Sequence, residues 1–256
     1  MPAAVFKRLF TRAEAPPPWT VPDGTRLYAI GDVHGRFDLF GALLTRIADD
    51  DRVRGAADTQ IVLLGDLIDR GPQSAAVVAR ARTLVAEGAI ALMGNHEELM
   101  LKTLDGDRRA AGVWVRNGGR ETLLSYGVDE DTYEAADLGG VVALAQAFVP
   151  AADAAFLAAL QDHWRFGDYV FAHAGIRPGT ALDAQRPTDL RWIRSEFLDS
   201  TANHGVCVVH GHSISSMVEA RDNRIGIDTG AYASGMLTAV GLEGRERWFL
   251  ATGDER

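Results

Sequence analysis

Gly31-Asp32-Val33-His34-Gly35 follows a short apolar run, Leu27-Tyr28-Ala29-Ile30, and is the first of three segments built alike. A second apolar run, 61–64, ends in Gly65-Asp66-Leu67-Ile68-Asp69-Arg70-Gly71. A third, 89–93, ends in Gly94-Asn95-His96-Glu97. Between them, residues 37–48 carry Phe37, Phe40, Leu44 and Ile47 at helical spacing, and 74–86 reads as a helix stopped by Gly88. Strand, polar loop and helix in repeated order predict an α/β sheet with parallel crossovers. In such a sheet the carboxyl ends of the strands line the functional crevice. Asp32, His34, Asp66, Asn95 and His96 are therefore expected to converge, with the glycines letting the backbone turn sharply beside them.

Further along, residues 97–161 read as mainly helical, a lobe beside the site. Strands are expected at 169–172, 206–209, 217–220, 224–227, 236–241 and 247–251. The last four come in close succession, which predicts hairpins and a second, mixed sheet. Two of these strands end in imidazoles: His173 after 169–172, and His210-Gly211-His212 after 206–209. His210 and His212 lie two apart and would share a face of a continuous strand, so the pattern alone leaves both open. Oxygen and imidazole donors without thiolates suit manganese, iron or zinc better than a thiolate-bound structural zinc site.

The 256 residues suit one large domain or two small ones. With 47% hydrophobic and 24% charged residues, collagen-like, disordered and coiled-coil classes fall away. Acidic residues outnumber basic ones, 35 to 26, for a net charge of −9, which argues against broad nucleic-acid or anionic-membrane binding but allows a small positive pocket. A single cysteine, Cys207, excludes an intrachain disulfide and suits a cytoplasmic setting, and no targeting signal is read. The most membrane-like stretch, 141–160, is interrupted by Gln146, Pro150 and Asp153 and reads as two packed helices broken at Pro150. Residues 1–24, with the Pro16-Pro17-Pro18 spacer, are expected to form a flexible tail, and 25–256 a single domain.

The ordered set of the three opening segments, Phe171-Ala172-His173-Ala174-Gly175 and His210-Gly211-His212 spans residues 31–212. It resembles the calcineurin-like metallophosphoesterase superfamily. Arg70 in the second segment, together with Gly94-Asn95-His96-Glu97, narrows the resemblance to the phosphoprotein phosphatase family and its bacterial serine/threonine phosphatases. The resemblance implies a calcineurin-like four-layer αββα sandwich with two central mixed sheets. It also implies two divalent metal ions, manganese first, with iron or zinc as the others. Asp32 and His34 would hold the first metal, Asp66 would bridge, and Asn95, His173 and His212 would hold the second. Two dications about 3.5–4 Å apart repel, and a bridging carboxylate and hydroxide screen that repulsion. With only Asp32 and Asp66 anionic, such a centre stays positive and attracts a phosphate dianion. By the same resemblance, the metals lower the pKa of a bound water toward about 7. His96 is the general acid, oriented by Asp69. Arg70, Arg194 and Asn95 bind the phosphate. Arg194 lies in Leu190-Arg191-Trp192-Ile193-Arg194, a looser match, which leaves Arg191 to a solvated ion pair.

The activity implied is hydrolysis of phosphoserine and phosphothreonine in proteins, or of a small phosphoester. The alternative is symmetrical cleavage of diadenosine polyphosphates, whose enzymes share nearly all these motifs. A phosphoprotein-binding module with a degenerate site is disfavoured by the intact Asp66, His96 and Arg70. Glu97 is expected to open a helix, where a carboxylate is favourable. His163 and His204 are expected on the surface or in loops, and Cys207 as an inert core thiol. The segment Trp114-Val115-Arg116-Asn117-Gly118-Gly119 reads as a helix–turn–helix junction around a buried tryptophan, with a wall of the substrate groove as the functional alternative. Asp228-Thr229-Gly230 reads as a strand-ending turn supporting the site.

Overall fold

The computed structural model describes residues 19–253. The first half runs β1 (Thr25–Ile30), α1 (Phe37–Arg54), β2 (Asp58–Leu63), α2 (Ser74–Ala86) and β3 (Ile90–Ala91), with β1, β2 and β3 mutually parallel. Helix α1 is longer than its apolar spacing announces and buries Phe40, Leu43 and Ile47, while Phe37 sits at solvent in its first turn. The helical lobe follows as α3 (Asn95–Leu104), α4 (Arg108–Trp114), α5 (Arg120–Ser125), α6 (Glu130–Glu134), α7 (Leu138–Phe148) and α8 (Ala151–Ala158). Three of these short helices start on an aspartate. Asp107, Asp129 and Asp137 each accept backbone N–H groups of the first turn of α4, α6 and α7, which would otherwise be orphaned. Helices α7 and α8 meet at 98° around Pro150; among the described residues no single helix is long and apolar enough to cross a membrane.

The remainder is β4 (His163–Phe166), β5 (Tyr169–Ala172), α9 (Pro187–Trp192), α10 (Ser195–Leu198), β6 (Cys207–His210), β7 (Glu219–Ala220), β8 (Arg224–Gly226), α11 (Ala231–Ser234), β9 (Thr238–Glu243) and β10 (Glu246–Ala251). One sheet has the order β10-β9-β1-β2-β3 and the other β4-β5-β6-β8-β7. The last four strands therefore do not share a sheet. The β7–β8 hairpin stays in the second, whereas β9–β10 returns to the first and pairs antiparallel with β1. His163, expected on the surface or in a loop, opens strand β4 opposite Ala172; the Trp164 and Phe166 rings stack with centroids 5.1 Å apart and anchor that edge.

Side-chain alternation builds the layers. Leu27 and Ala29 of β1, Tyr169 and Phe171 of β5, and Cys207 and Val209 of β6 share the core between the two sheets. Tyr28 and Ile30 face α1, α2 and the helical lobe. Val170, Ala172 and Val208 face Leu190 of α9 and Phe197 of α10. The result is helix, sheet, sheet, helix. Within the expected tail, Val21 is buried in the inter-sheet core and its N–H meets Gly244 O at 3.0 Å, while Trp19 Nε1 donates to Asp222 O at 2.6 Å. Through these contacts Trp19 and Val21 pack as part of the sandwich. The proline spacer and residues before it lie outside the described residues.

Candidate functional site

The parallel strands of both sheets deliver their carboxyl ends to one crevice. Asp32 and His34 follow β1; Asp66, Asp69 and Arg70 follow β2; Asn95 and His96 open α3 just after β3. His173 follows β5, His212 follows β6, and Asp228 follows β8. All are buried except Arg70, which is half-buried. The structure thus brings together every expected ligand and the expected acid.

Hydrogen bonds fix how the imidazoles face. His34 Nδ1 lies 2.8 Å from Ile68 O, and His173 Nδ1 2.8 Å from Leu64 O. A carbonyl only accepts, so each Nδ1 carries the hydrogen and each Nε2 turns inward. The Nε2 atoms of His34, His96 and His173 lie 3.7, 3.8 and 3.3 Å from Asp66 Oδ2. Two groups result, His34–Asp66–His96 and Asp66–His173–His212, in each of which the donor atoms lie within 4.8 Å of one another. Asp66 belongs to both. Asp32 closes the arrangement by accepting the His212 N–H, at 3.0 and 3.2 Å to its two oxygens.

The charges say what would fit there. Burial pushes Asp32 well above its ordinary carboxylate range, and the neighbouring Asp228 and Asp66 charges add to it. Burial acts the same way on Asp66, but His173, His96 and His34 overturn it and hold this carboxyl well below the usual range. Burial also opposes charging of His173, yet Asp66 and Asp32 push it up to about 10. Its Nε2 faces the carbonyl oxygen of Asn95 at 3.0 Å, so a cation placed between them would take over from that proton. Burial lowers His34 to about 3 and His212 to about 2, leaving both neutral as a ligand must be, and His212 Nε2 is buried without a partner. Imidazole nitrogen, carboxylate oxygen and one amide oxygen around shared Asp66 fit divalent cations.

Of the two late histidines, His212 lies in the group with Asp66 and His173. His210 Nε2 is also buried without a partner, but its ring packs edge-on to Phe197 at 5.2 Å, and it belongs to neither group around Asp66. The two do not share a face because β6 ends at His210 and His212 takes a left-handed backbone, φ 62°. Among the described residues the non-glycine positions with positive φ are His34, Asp66, Asp69, Arg70 and His212, and every one belongs to this crevice. Such backbone costs about 1–3 kcal/mol per residue and persists only where its surroundings enforce it. Glu97 supplies part of that enforcement. It starts α3 as expected, but it is also fully buried and gathers the N–H groups of Asp66, Leu67, Ile68 and Gly94. A Cβ on Gly94 would strike Asp66, so only glycine fits there.

Behind His96 stands Asp69, its Oδ2 2.6 Å from His96 Nδ1. Burial opposes charging of His96; Asp66 and Asp69 together raise its pKa. Asp69 accepts in addition the Trp114 indole N–H, 2.9 Å from both oxygens, and the Thr122 hydroxyl at 2.6 Å. Arg70 spreads its fork across the mouth, Nη1 2.9 Å from His34 Nε2 and Nη2 3.1 Å from His96 Nε2. Its guanidinium carbon lies 4.6 Å from the Tyr232 ring centroid. Arg194 is exposed, 3.4 Å from Ser213 Oγ. Arg191 instead pairs with Asp162 at 2.6 Å and with Glu98 at 3.6 Å. Sequence reasoning missed Thr122 and Tyr232 at the site. For Glu97, the spacing of a glutamate three residues after the helix-opening Gly94 was a usable signal; Thr122 and Tyr232 carry none.

A sandwich of this topology with a shared carboxylate between two imidazole groups defines a metallophosphoesterase. The profile of the calcineurin-like phosphoesterase family matches residues 25–234, and the chain belongs to that family, whose members hydrolyse phosphoesters at a dinuclear metal site. The chain is 28% identical over 225 residues to serine/threonine-protein phosphatase 2 of Salmonella typhimurium, covering 83% of this chain and 90% of that protein. It is 26% identical over 230 residues to the asymmetrical bis(5'-nucleosyl)-tetraphosphatase PrpE of Anoxybacillus flavithermus, covering 82% and 88%. Among solved structures, a protein provisionally described as a diadenosine tetraphosphatase superposes with a TM-score of 0.63 at 21% identity over 91% of this chain and 99% of that one, a likeness of fold.

Proposed function

We propose that this protein hydrolyses phosphoserine and phosphothreonine monoesters in proteins. Two divalent cations, manganese first, would be held by Asp32, His34, Asp66, Asn95, His173 and His212. The observation that carries the reading is the His96–Asp69 pair at 2.6 Å, set beside Arg70 and facing the shared Asp66. When bound, the cations would supply the activated water and neutralise charge on the phosphoryl group.

The chain's own residues do the rest. Arg70 and Arg194 grip the non-bridging oxygens, Arg70 as a planar fork already directed into the crevice, with Asn95 beside it. Once the phosphate draws Arg70 Nη2 from His96 Nε2, the imidazole can carry a proton there. As the phosphorus–oxygen bond to the leaving group breaks, that proton passes to the departing oxygen, because a serine alkoxide is a poor leaving group. Asp69 keeps Nδ1–H pointing away from the substrate, so the proton given up is the one at Nε2. A cytoplasmic setting suits the buried free thiol of Cys207.

A second reading is cleavage of dinucleoside polyphosphates. The specific observation in its favour is Tyr232, a partly exposed ring at the mouth beside Arg70, onto which a base could stack. Assays side by side with manganese, on a phosphoserine peptide and on diadenosine tetraphosphate, separate the two. The peptide should be the better substrate, and a chelator should abolish both activities. A dinucleotide turned over far faster overturns the protein-phosphatase reading, and its products, two ADP or ATP plus AMP, report symmetrical or asymmetrical cleavage.

A further inference from the structure

The Trp114–Gly119 segment belongs to the helical lobe, yet its side chain reaches the catalytic pair rather than a substrate groove. We propose that Trp114 and Thr122 are positioning residues for the proton donor: they lock the Asp69 carboxylate in the orientation that holds His96 by its Nδ1–H. This rests on the reading of His96 as the proton donor given above.

A buried carboxylate on a short side chain has two ways to lose a partner. It can rotate about its terminal bond, or its backbone can swing. Both are blocked from the lobe. Asp69 is fully buried, and its Oδ1 takes the Thr122 hydroxyl at 2.6 Å. The Trp114 N–H bisects the carboxylate, 2.9 Å from each oxygen. Oδ2 is thereby left facing His96 Nδ1 at 2.6 Å. A turn of the carboxylate would break the indole and hydroxyl bonds together. The Asp69 backbone sits at a left-handed φ of 74°, and its N–H is held by Thr122 Oγ1 at 2.9 Å and Ser74 Oγ at 3.0 Å. Thr122 therefore holds the same residue at both ends.

The indole is itself fixed. Trp114 is fully buried, and the chain crosses its face at Gly119, where a Cβ would come within 2.5 Å of the ring. This accounts for the spacing in Trp114-Val115-Arg116-Asn117-Gly118-Gly119. The tryptophan reaches Asp69, and Gly118 offers its carbonyl to the Arg70 N–H at 3.1 Å. Gly119 lets the chain fold back over the indole.

The test separates positioning from mere stability by the leaving group. A phosphoserine peptide needs a proton on departure; p-nitrophenyl phosphate does not. Each variant is assayed with manganese on both substrates, and its metal content is measured. His96→Asn should lose about 10²–10⁴-fold on the peptide and far less on the aryl ester. Trp114→Phe and Thr122→Val should lose about tenfold more kcat on the peptide than on the aryl ester, with KM and metal content unchanged. Thr122→Ser, which keeps the hydroxyl, should behave as the parent. If Trp114→Phe does not fold, the Thr122→Val and Thr122→Ser pair decides. Equal losses on both substrates, or full peptide activity in Thr122→Val, would overturn the positioning role while leaving His96 in place. A His96→Asn enzyme insensitive to the leaving group would remove the proton donor itself, and the inference with it.

Discussion

The carboxylate of Glu97 accepts the backbone N–H of Asp66 at 2.9 Å. The same side chain takes the N–H groups of Leu67 at 2.8 Å, Ile68 at 3.3 Å and Gly94 at 3.0 Å. Each oxygen thus serves two amides, and no water reaches them, since Glu97 is fully buried. The loop that presents the shared Asp66 is held by an acceptor from another element. Glu97→Gln would aim an NH2 group at two of those amides. Each buried donor left unpaired costs about 1–3 kcal/mol, and two are affected. Denaturant unfolding should show a loss of that order, and titration calorimetry should show weaker manganese binding. Unchanged stability and affinity would mean that the loop is held by other contacts.

Arg191 and Arg194 lie three residues apart and face different surroundings. Arg191 is committed to Asp162 and Glu98, so Arg191→Ala should change stability by about 1 kcal/mol or less and leave KM alone. Among the described residues Arg194 meets only Ser213 Oγ, at 3.4 Å, and can turn to a phosphate. Arg194→Ala should raise KM, and the inhibition constant for inorganic phosphate, by about ten- to a hundredfold with little change in thermal stability, as expected for a lost charge-assisted bond of about 1.5–3 kcal/mol. A reversed pattern would give the phosphate role to Arg191.

Much of the site was legible because strands ending in Gly-Asp or Gly-Asn place their ligands by local rules. Asp32, Asp66 and Asn95 follow β1, β2 and β3 in the order that the apolar runs announce. Sheet membership of the last four strands was not legible. Both β8 and β9 read as short strands, and what separates them is a distant partner: Val208 for Arg224, Ile30 for Ala239. The left-handed turns at Asp69 and Arg70 were equally hidden, since neither is a glycine. Thr122 stayed silent for another reason. It is 53 residues from the aspartate it touches, and a threonine inside an amphipathic helix carries no mark of that bond.

Cys207 lies within β6 in the inter-sheet core, and burial pushes its thiol up to about 12. At neutral pH it is a thiol and not the reactive thiolate. Native protein should resist a thiol reagent, and denatured protein should react with one equivalent. The same shift sets a stability window. The folded state favours the protonated form, so the contribution is complete below the ordinary pKa of 9.0 and is lost as pH rises from there toward about 12. Cys207→Ala should flatten that part of the stability curve. Rapid native labelling at pH 7 would contradict the burial.

Gly118 and Gly127 both adopt positive φ, 103° and 93°, but only one is crowded. A Cβ on Gly127 would meet nothing within 4 Å, whereas one on Gly118 would lie 2.6 Å from the backbone nitrogen of Arg70. Gly127→Ala therefore reports the backbone penalty alone, about 1–2 kcal/mol, with kinetics unchanged. Gly118→Ala carries the same penalty and must also displace Arg70, whose N–H the Gly118 carbonyl accepts at 3.1 Å. Its loss of stability should exceed that of Gly127→Ala, and KM for phosphoesters should rise as the guanidinium fork moves off the crevice. If the two variants match in stability and both keep the parent KM, the contact between the lobe and Arg70 does not govern substrate binding.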